Sequence, residues 1–317
     1  MKAAGLLLAL LAACQSIPGH PGEPYLLVLG TAQDGGLPQI GCRDEACERA
    51  RRHPDERRLV TSLAIVDPRD GRRWLVDASP DLALQVELVA RAAPRSGASE
   101  ARAPLFDGVF LTHAHVGHYA GLAQFGREVY GARELPVWCS SRMARFLHSN
   151  GPWSLLVDTH AIELREIEPG TAVALAPGLT VDALRVPHRD EFSDTLAFVV
   201  RGPNRTVAYL PDIDKWERWE LPLESFLESV DLALVDGTFF ADGEVPGRAM
   251  SAIPHPFIRE TLARLESAPP ELRRKVVFTH LNHTNPAANP QSDAARAIRS
   301  AGMRIARDGE RISLGSD

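Results

Sequence analysis

The feature that most constrains this chain is a set of three closely spaced histidines that directly follows an apolar segment. Residues 108–112 are apolar and strand-like, and they lead into His113, His115 and His118. In an extended turn, residues two apart point to the same side, so His113 and His115 can bind one ion while His118 faces a neighbouring position. Imidazole nitrogens suit zinc, iron and manganese. The spacing therefore predicts a metal site, with three solvated loop histidines as the alternative.

Together with later parts of the chain, this motif resembles the metallo-β-lactamase superfamily. The superfamily signature is His-x-His-x-Asp-His after a strand, followed by a lone His, a lone Asp and a last His at strand ends. His188, Asp212 and His280 match the three later positions in order, because each follows an apolar strand-like segment. Active-site ligands are expected in such loops. The resemblance implies that His188 completes a first metal site, that Asp212 bridges two metals and that His280 joins His118 at the second.

Strand-like and helical segments interleave along the chain, without the strict alternation of a single parallel sheet. This pattern predicts two β-sheets packed face to face with helices outside. The resemblance implies the same fold class, α/β (α+β), as a four-layer αββα sandwich of two mixed sheets with flanking helices. The expected strands lie at residues 25–29, 59–66, 74–76, 108–112, 179–186, 195–200, 206–210, 232–235 and 276–279. The expected helices lie at residues 44–52, 80–92 with Ser79 as N-cap, 118–130, 141–149, 224–229, 256–265 and 292–301.

Three further stretches narrow the resemblance within the superfamily. Residues 29–39, 76–82 and 279–286 are similar to the corresponding stretches of the family of pyrroloquinoline-quinone biosynthesis protein B. That family is linked to iron-dependent oxidation of a tyrosine-derived peptide, whereas most of the superfamily hydrolyses esters with zinc. The similarity therefore indicates a subfamily but does not distinguish oxidation from hydrolysis.

The chain departs from the superfamily signature inside the histidine motif. Gly117 stands where the signature has Asp. The second metal site would then keep only His118, His280 and a share of Asp212. We therefore expect either a single tightly held ion or a loosely filled second site.

Cysteine usage gives a further expectation. The N-terminal cysteine cluster of the biosynthetic family is reduced here to Cys42 and Cys47, and Cys139 stands apart. In an exported protein a nearby pair is usually oxidised, so we expect one local disulfide and one buried thiol. A zinc knuckle is the alternative, although structural zinc normally needs four ligands.

Four more residues are candidates for the site. His283, three residues beyond the last strand-end histidine, is a candidate catalytic proton shuttle or extra ligand, with a structural hydrogen bond as the alternative. His255 lies in a Pro/Gly-rich stretch that could cover a pocket, and Asp34 precedes two glycines that let the backbone approach a ligand, so both are candidate substrate-binding residues. Asp77 is expected to orient a metal-bound histidine.

The N-terminus resembles a bacterial export signal. Residues 3–13 form a Leu/Ala run that is too short for a permanent membrane helix but suits the core of a signal peptide. Residues 11–14 resemble a lipobox, in which Cys14 would be lipidated. We therefore divide the chain into residues 1–24, a signal peptide with lipobox and tether, and a domain at residues 25–317. The expectation is a lipoprotein of the cell envelope that faces the periplasm; a plain secretory signal or a mis-assigned start codon is the alternative.

The composition narrows the range of partners. The residues are 44% hydrophobic and 24% charged, which is ordinary for a globular domain, and the formal net charge is -6. Nucleic-acid binding needs a basic face, and the sequence offers none. We expect a small-molecule or peptide substrate, and contact with the membrane only through the N-terminal lipid.

These features predict an enzyme that uses a metal-activated water. The expected reaction is hydrolysis of an ester, lactone, amide or phosphodiester, with one or two zinc ions bound and with Asp212 orienting the water or acting as base. An iron-dependent oxidase or hydroxylase with the same ligands is the first alternative, and manganese also fits them. The second alternative is a non-catalytic envelope protein that binds a metal or ligand, for which Gly117 is the strongest argument. Export speaks against quinone biosynthesis, which is expected in the cytoplasm.

Overall fold

The computed structural model of the protein describes residues 22–94, 104–245, 247, 249–250 and 253–315. The predicted signal peptide and the lipobox with Cys14 lie outside these residues. Within the described ranges, every helix is too short or too polar to cross a lipid bilayer.

The described part of the chain forms two β-sheets of seven strands each. The strands of the first sheet are β1 Tyr25–Gly30, β2 Ser62–Asp67, β3 Arg72–Val76, β4 Gly108–Phe110, β5 Leu135–Cys139, β6 Ile162–Glu166 and β14 Arg311–Ser313. The strands of the second sheet are β7 Ala172–Ala176, β8 Leu179–Arg185, β9 Leu196–Arg201, β10 Thr206–Leu210, β11 Leu232–Asp236, β12 Val276–Thr279 and β13 Arg304–Ile305. Their orders are β14-β1-β2-β3-β4-β5-β6 and β13-β12-β11-β10-β9-β8-β7.

Both sheets are mixed, and each divides into an antiparallel half and a parallel half. In the first sheet the pairs from β14 to β3 are antiparallel and those from β3 to β6 are parallel. In the second sheet the pairs from β7 to β10 are antiparallel and those from β10 to β13 are parallel. With helices outside both sheets, this architecture confirms the predicted αββα sandwich.

The helices cover the outer face of each sheet. They are α1 Glu45–Arg52, α2 Leu82–Ala92, α3 Val116–Tyr119, α4 Ser141–Ser149, α5 Trp153–Asp158, α6 Leu223–Glu228, α7 Ile258–Arg264, α8 Pro270–Arg273 and α9 Asp293–Ser300. Side chains start two of them: the Ser140 and Ser292 hydroxyls accept the N–H of Met143 and Ala295. Such caps satisfy backbone donors that have no partner in the first helical turn.

The sequence located the central elements better than the edges. Strands β5, β6, β7, β13 and β14 were not predicted. β5 contains proline, β6 alternates apolar with charged residues, β7 is short and rich in Ala, and β13 and β14 have only two and three residues. The helix expected at residues 118–130 is the short α3 followed by a 3-10 helix at Ala120–Phe125. The N-cap of α2 is Asp81 rather than Ser79; the Ser79 hydroxyl lies ahead of the helix, where it accepts the Asp81 N–H at 3.1 Å and donates to the Gln85 side chain.

Large apolar side chains fill the space between the two sheets. Phe110 stacks on Trp138 with ring centroids 4.7 Å apart, and its edge meets Phe198 of the opposite sheet at 5.4 Å. Strands buried against a sheet on one face and helices on the other become continuously apolar, as in β9 and β11. The apolar interior therefore holds the strand ends of both sheets in fixed relative positions.

Removing a ring from this interior should destabilise the whole domain. Phe198 is fully buried, so Phe198→Ala should lower the free energy of unfolding by about 3–5 kcal/mol through lost burial and a residual cavity. Leu84, 58% exposed on α2, offers the control: Leu84→Ala should change it by less than about 0.5 kcal/mol. Urea unfolding measures both, and equal effects would contradict this account of the core.

Candidate metal centre

The predicted ligands meet because their strands end at one edge of the sandwich. β8, β10 and β12 run in the same direction, since β8 and β10 both pair antiparallel with β9 and since β10, β11 and β12 are parallel. The loops that follow them carry His188, Asp212 and His280. The loop after β4 joins this edge, where the Leu196 N–H donates to the Thr112 carbonyl at 2.9 Å.

A first group of four side chains has the composition of a metal site. Ligand atoms of His113, His115, His188 and Asp212 all lie within 4.8 Å of one another. The Nε2 atom of His113 is 3.2 Å from Asp212 Oδ2, and the Nε2 atom of His188 is 3.5 Å from Asp212 Oδ1. Three imidazoles and a carboxylate are donors that zinc and other first-row divalent ions accept.

A second group lies on the other side of the same carboxylate. The Nε2 atoms of His118 and His280 are 3.4 Å and 3.6 Å from Asp212 Oδ2. Asp34 also belongs to this group: its Oδ1 lies 4.0 Å from His118 Nε2. The expectation that this side would lack a carboxylate of its own is therefore wrong, because a residue from a distant loop brings one.

Several buried atoms of the two groups have no hydrogen-bond partner. They are Asp34 Oδ1, His118 Nε2, His188 Nε2, His280 Nε2 and Asp212 Oδ1. An unpaired buried polar atom costs about 1–3 kcal/mol, so a convergent set of them is unfavourable unless something binds there. Cations bound at the two groups would satisfy all five, and the residues present therefore fit the metal that the sequence pattern implies.

In four histidines of the site, the Nδ1 nitrogen forms a hydrogen bond on the side of the ring away from the cluster. The Nδ1 atom of His113 lies 2.9 Å from Thr112 Oγ1, and that of His118 lies 2.7 Å from Asp77 Oδ2. The Nδ1 atom of His188 lies 3.2 Å from Asp214 Oδ1, and that of His280 lies 2.9 Å from Thr238 Oγ1. Such partners fix the orientation of each ring and direct its Nε2 towards the metal. The prediction that Asp77 orients a histidine of the site is confirmed. Asp214 and Thr238 were not assigned this role from sequence.

The backbone is strained at two of these positions. Asp77 and His280 have φ values of 64° and 61°, in the left-handed region that residues other than glycine seldom adopt. Asp77 is completely buried and is held by the backbone N–H of Thr112, which donates to its Oδ1 at 2.8 Å. The surrounding structure thus holds both residues in a costly conformation, as is common at functional sites.

Asp212 is ionised at the centre of the cluster. Burial raises the pKa of its carboxyl, but the neighbouring charges of His188, His280 and His255 outweigh burial and hold the pKa well below its usual range. A carboxylate that stays charged can bridge two cations or accept a proton.

The histidines differ in protonation. Burial holds the pKa of His113 well below its usual value, which keeps the ring neutral and ready to bind a metal. Burial also lowers the pKa of His118, but the carboxylates of Asp77 and Asp212 outweigh burial and raise this pKa to about 10. A cation that binds at His118 must therefore displace a proton.

His255 lies beside the cluster. Its Nδ1 atom is 2.7 Å from Asp236 Oδ2 and 3.1 Å from Asp212 Oδ1, and the side chain is 5% exposed. Burial lowers the pKa of His255, but Asp236 and Asp212 raise it to about 9. The sequence proposed His255 for substrate binding and missed Asp236, although Asp236 ends a buried strand and the strand-end argument that selected Asp212 also applies to it.

His283 is placed with the cysteines. Its Nδ1 atom lies 3.4 Å from Cys42 Sγ and 3.6 Å from Cys47 Sγ. The two thiols are free, so the expected disulfide is not formed: both sulfurs face the imidazole ring. These three residues form another group that could hold a metal ion, and the catalytic role suggested for His283 has no support in this geometry.

The fold and the site together define a metal-dependent protein of the β-lactamase sandwich class. Residues 72–281 match the beta-lactamase superfamily domain, which is more than half of the chain. The protein belongs to this superfamily.

Known proteins resemble the chain over nearly its whole length. Coenzyme PQQ synthesis protein B of Methylobacterium sp. (strain 4-46) is 27% identical over 310 residues, covering 91% of this chain and 99% of the relative. The crystal structure of Zn(2+)-bound PqqB from Methylobacterium extorquens has a TM-score of 0.76 at 22% identity, covering 91% of this chain and 99% of the other. A diphosphatase from the PhnP family has a TM-score of 0.62 at 21% identity, covering 92% and 96%.

Neutralising Asp77 should weaken metal binding without unfolding the domain. Asn keeps the shape of Asp and tolerates the left-handed backbone at this position, but it removes the negative charge behind His118. Asp77→Asn should therefore weaken zinc affinity by about 10–100-fold in a competition titration with a chromophoric chelator. The control Asp182→Asn, which breaks a surface ion pair with Arg201, should leave the zinc affinity unchanged. Unaltered affinity in Asp77→Asn would show that this contact does not support the site.

Thiol reactivity tests the positions of the cysteines. Burial raises the pKa of Cys139 to about 12, and burial with the neighbouring Cys42 raises that of Cys47 to about 11. Because the thiolate is the reactive form, iodoacetamide at pH 7.5 with a chelator should modify the partly exposed Cys42 first and Cys139 only after unfolding. Peptide mass spectrometry measures the extent of alkylation at each cysteine. Rapid labelling of Cys139 in the folded protein would contradict its burial.

Proposed function

We propose that this protein is a metal-dependent hydrolase that uses a water activated by a divalent cation at His113, His115, His188 and Asp212. The observation that carries the proposal is the convergence of these four residues, with buried His188 Nε2 and Asp212 Oδ1 lacking any hydrogen-bond partner. When bound, a divalent cation supplies Lewis acidity, polarising a substrate oxygen and bringing the pKa of water towards neutrality. Zinc is the ion we expect, with iron or manganese as alternatives.

Asp212 handles the proton of the attacking water in this proposal. Its carboxylate remains charged because the surrounding histidines keep its pKa low. The carboxylate oxygen that the cation leaves free would orient a water molecule and accept its proton. The side chain is only 3% exposed, which limits competition from bulk solvent.

His255 supplies positive charge opposite this base. The carboxylates of Asp236 and Asp212 keep its ring protonated at neutral pH, because they raise its pKa to about 9. Its Nδ1–H is directed at Asp236 Oδ2, 2.7 Å away. We assign to its Nε2–H the donation of a hydrogen bond or a proton to the oxygen on which charge develops.

The substrate in this proposal is an ester, lactone, amide or phosphodiester. The diphosphatase of the PhnP family gives one example of hydrolysis on the same sandwich, although at 21% identity it shares only the fold with this chain. Phosphodiesters therefore head the panel to be assayed, followed by aryl esters and lactones.

Iron-dependent oxidation is a second candidate function. The similarity to coenzyme PQQ synthesis protein B covers 91% of the chain, and histidines with a carboxylate also suit ferrous iron. Assays with zinc and with ferrous iron, each with and without dioxygen, separate the two functions. A hydrolase turns over without dioxygen, whereas an oxidase stops.

Removing one imidazole of the first group should abolish turnover. His115 offers Nδ1 to this group at 2.8 Å from His113 Nε2, so His115→Ala should lower kcat/KM by more than about 100-fold and reduce the bound metal. The control is His148→Ala, which alters an exposed histidine on α4 and should change neither quantity. Full activity in His115→Ala would refute the proposal, and metal binding without turnover on any substrate would favour a non-catalytic role.

A further inference from the structure

We propose that Asp34 is a ligand of a second cation, which it binds together with His118, His280 and the shared carboxylate of Asp212. Asp34 lies outside residues 72–281, the part of the chain that matches the superfamily domain. The inference concerns what the site holds, and it stands whichever reaction the site performs.

The first argument is that three buried atoms face one another without partners. Asp34 Oδ1, His118 Nε2 and His280 Nε2 make no hydrogen bond and lie within 4.8 Å of one another. The opposite nitrogen of each ring is occupied, by Asp77 for His118 and by Thr238 for His280. Both rings are thus oriented towards a point that Asp34 also faces, and a cation at that point would serve all three atoms.

The distances suit a shared ion. His118 Nε2 is 4.0 Å from Asp34 Oδ1 and 3.4 Å from Asp212 Oδ2, and His280 Nε2 is 3.6 Å from the same Asp212 oxygen. Two ligands of a tetrahedral zinc ion stand about 3.4 Å apart, so a small inward movement of Asp34 completes the set. Two carboxylates also balance the charge of a divalent ion, which two neutral histidines cannot do.

The turn that carries Asp34 is fixed to the segment that carries His280. The Gln33 N–H donates to the Leu281 carbonyl at 2.9 Å, and the Leu281 N–H donates to the Thr31 carbonyl at 2.8 Å. The Gly36 N–H closes the turn on the Gln33 carbonyl at 2.8 Å. Asp34 is therefore held beside His280 by backbone hydrogen bonds on both sides, which lowers the entropic cost of binding an ion.

Gly117 provides the space that Asp34 needs. A Cβ atom at position 117 would lie 2.1 Å from Asp34 Oδ1 and 2.9 Å from Asp34 Cα, so a side chain there excludes Asp34 from its present place. Gly117 does not have a left-handed backbone that would itself require glycine. The absence of a side chain at position 117 and the presence of Asp34 at the site are thus two parts of one arrangement.

The test counts zinc ions per chain in the folded protein. Wild type and variants are titrated with zinc by calorimetry, and bound zinc is measured by mass spectrometry of the metal after gel filtration. With Cys42→Ser in every protein compared, which keeps zinc at Cys42, Cys47 and His283 out of the count, the chain with Asp34 and Gly117 intact should bind two ions. Asp34→Asn removes a charge but keeps the shape of the side chain, and should retain one ion while the second binds at least about 10-fold more weakly. Asp158→Asn, at an exposed position on α5, is the matched control and should bind two.

An exchange of positions adds a second test. Gly117→Asp alone should lose the second ion, because its side chain collides with Asp34. Combining it with Asp34→Gly removes the contacts with the Asp34 carboxylate, and a small shift of the turn relieves the remaining 2.9 Å approach to the Cα of residue 34. The new carboxylate then lies beside the same histidines, so the double variant should bind two ions again. Circular dichroism establishes that each variant is folded.

Three outcomes would overturn the proposal: a single ion in the wild type, unchanged affinity for both ions in Asp34→Asn, or a folded double variant that still binds one. These measurements count bound ions and affinities, and none of them depends on catalytic turnover. A protein that binds two ions through Asp34 and hydrolyses no substrate would refute the proposed function and leave this inference standing.

Discussion

The structure of the site depends on one buried carboxylate surrounded by imidazoles. Asp212 is 3% exposed, and ring nitrogens of His113, His118, His188, His255 and His280 lie 3.1–3.6 Å from its two oxygens. Burying a charge is costly unless opposite charge and hydrogen bonds compensate for it. Here the surrounding imidazoles supply that compensation, and a cation that displaces their protons would take over the role. The same requirement explains why the outer nitrogens of the rings are held by Asp77, Thr112, Asp214 and Thr238.

The sandwich provides this geometry through strand direction. Parallel strands β10, β11 and β12 place Asp212, Asp236 and His280 at one edge, and the apolar layer between the sheets fixes the β4 loop against them. His113, His188, Asp212 and His280 each sit one to three residues beyond the end of a strand. The rigid strands thereby position loop residues with the precision that metal binding requires.

The spacing of the histidine motif predicted His113, His115 and His118 as ligands, and the resemblance to the metallo-β-lactamase superfamily added His188, Asp212 and His280. His113, His115, His188, Asp212 and His280 each follow an apolar segment, and that pattern is visible in one dimension. The edge strands β6 and β7 were not predicted in this way, because β6 carries charged residues on its exposed face and β7 is a short Ala-rich segment with weak strand propensity. The central strands, which are buried on both faces, were predicted within a few residues.

Contacts between distant loops could not be predicted from the sequence. Asp34 reaches His118 only because its turn pairs with Leu281, and a glycine motif near residue 34 fits a substrate loop equally well. His283 follows His280 by three residues, yet its Nδ1 atom faces the sulfurs of Cys42 and Cys47. Sequence spacing left His283 as a proton shuttle, an extra ligand or a structural residue, and it favoured a Cys42–Cys47 disulfide over a zinc knuckle; in the structure both thiols are free and face the His283 ring.

The most direct test of this account is a crystal structure of the zinc-loaded protein with an anomalous difference map at the zinc edge. The account predicts a strong peak about 2.1 Å from the Nε2 atoms of His113 and His188 and from an oxygen of Asp212. A map without density at Asp212, or with zinc only at Cys42, Cys47 and His283, would contradict it.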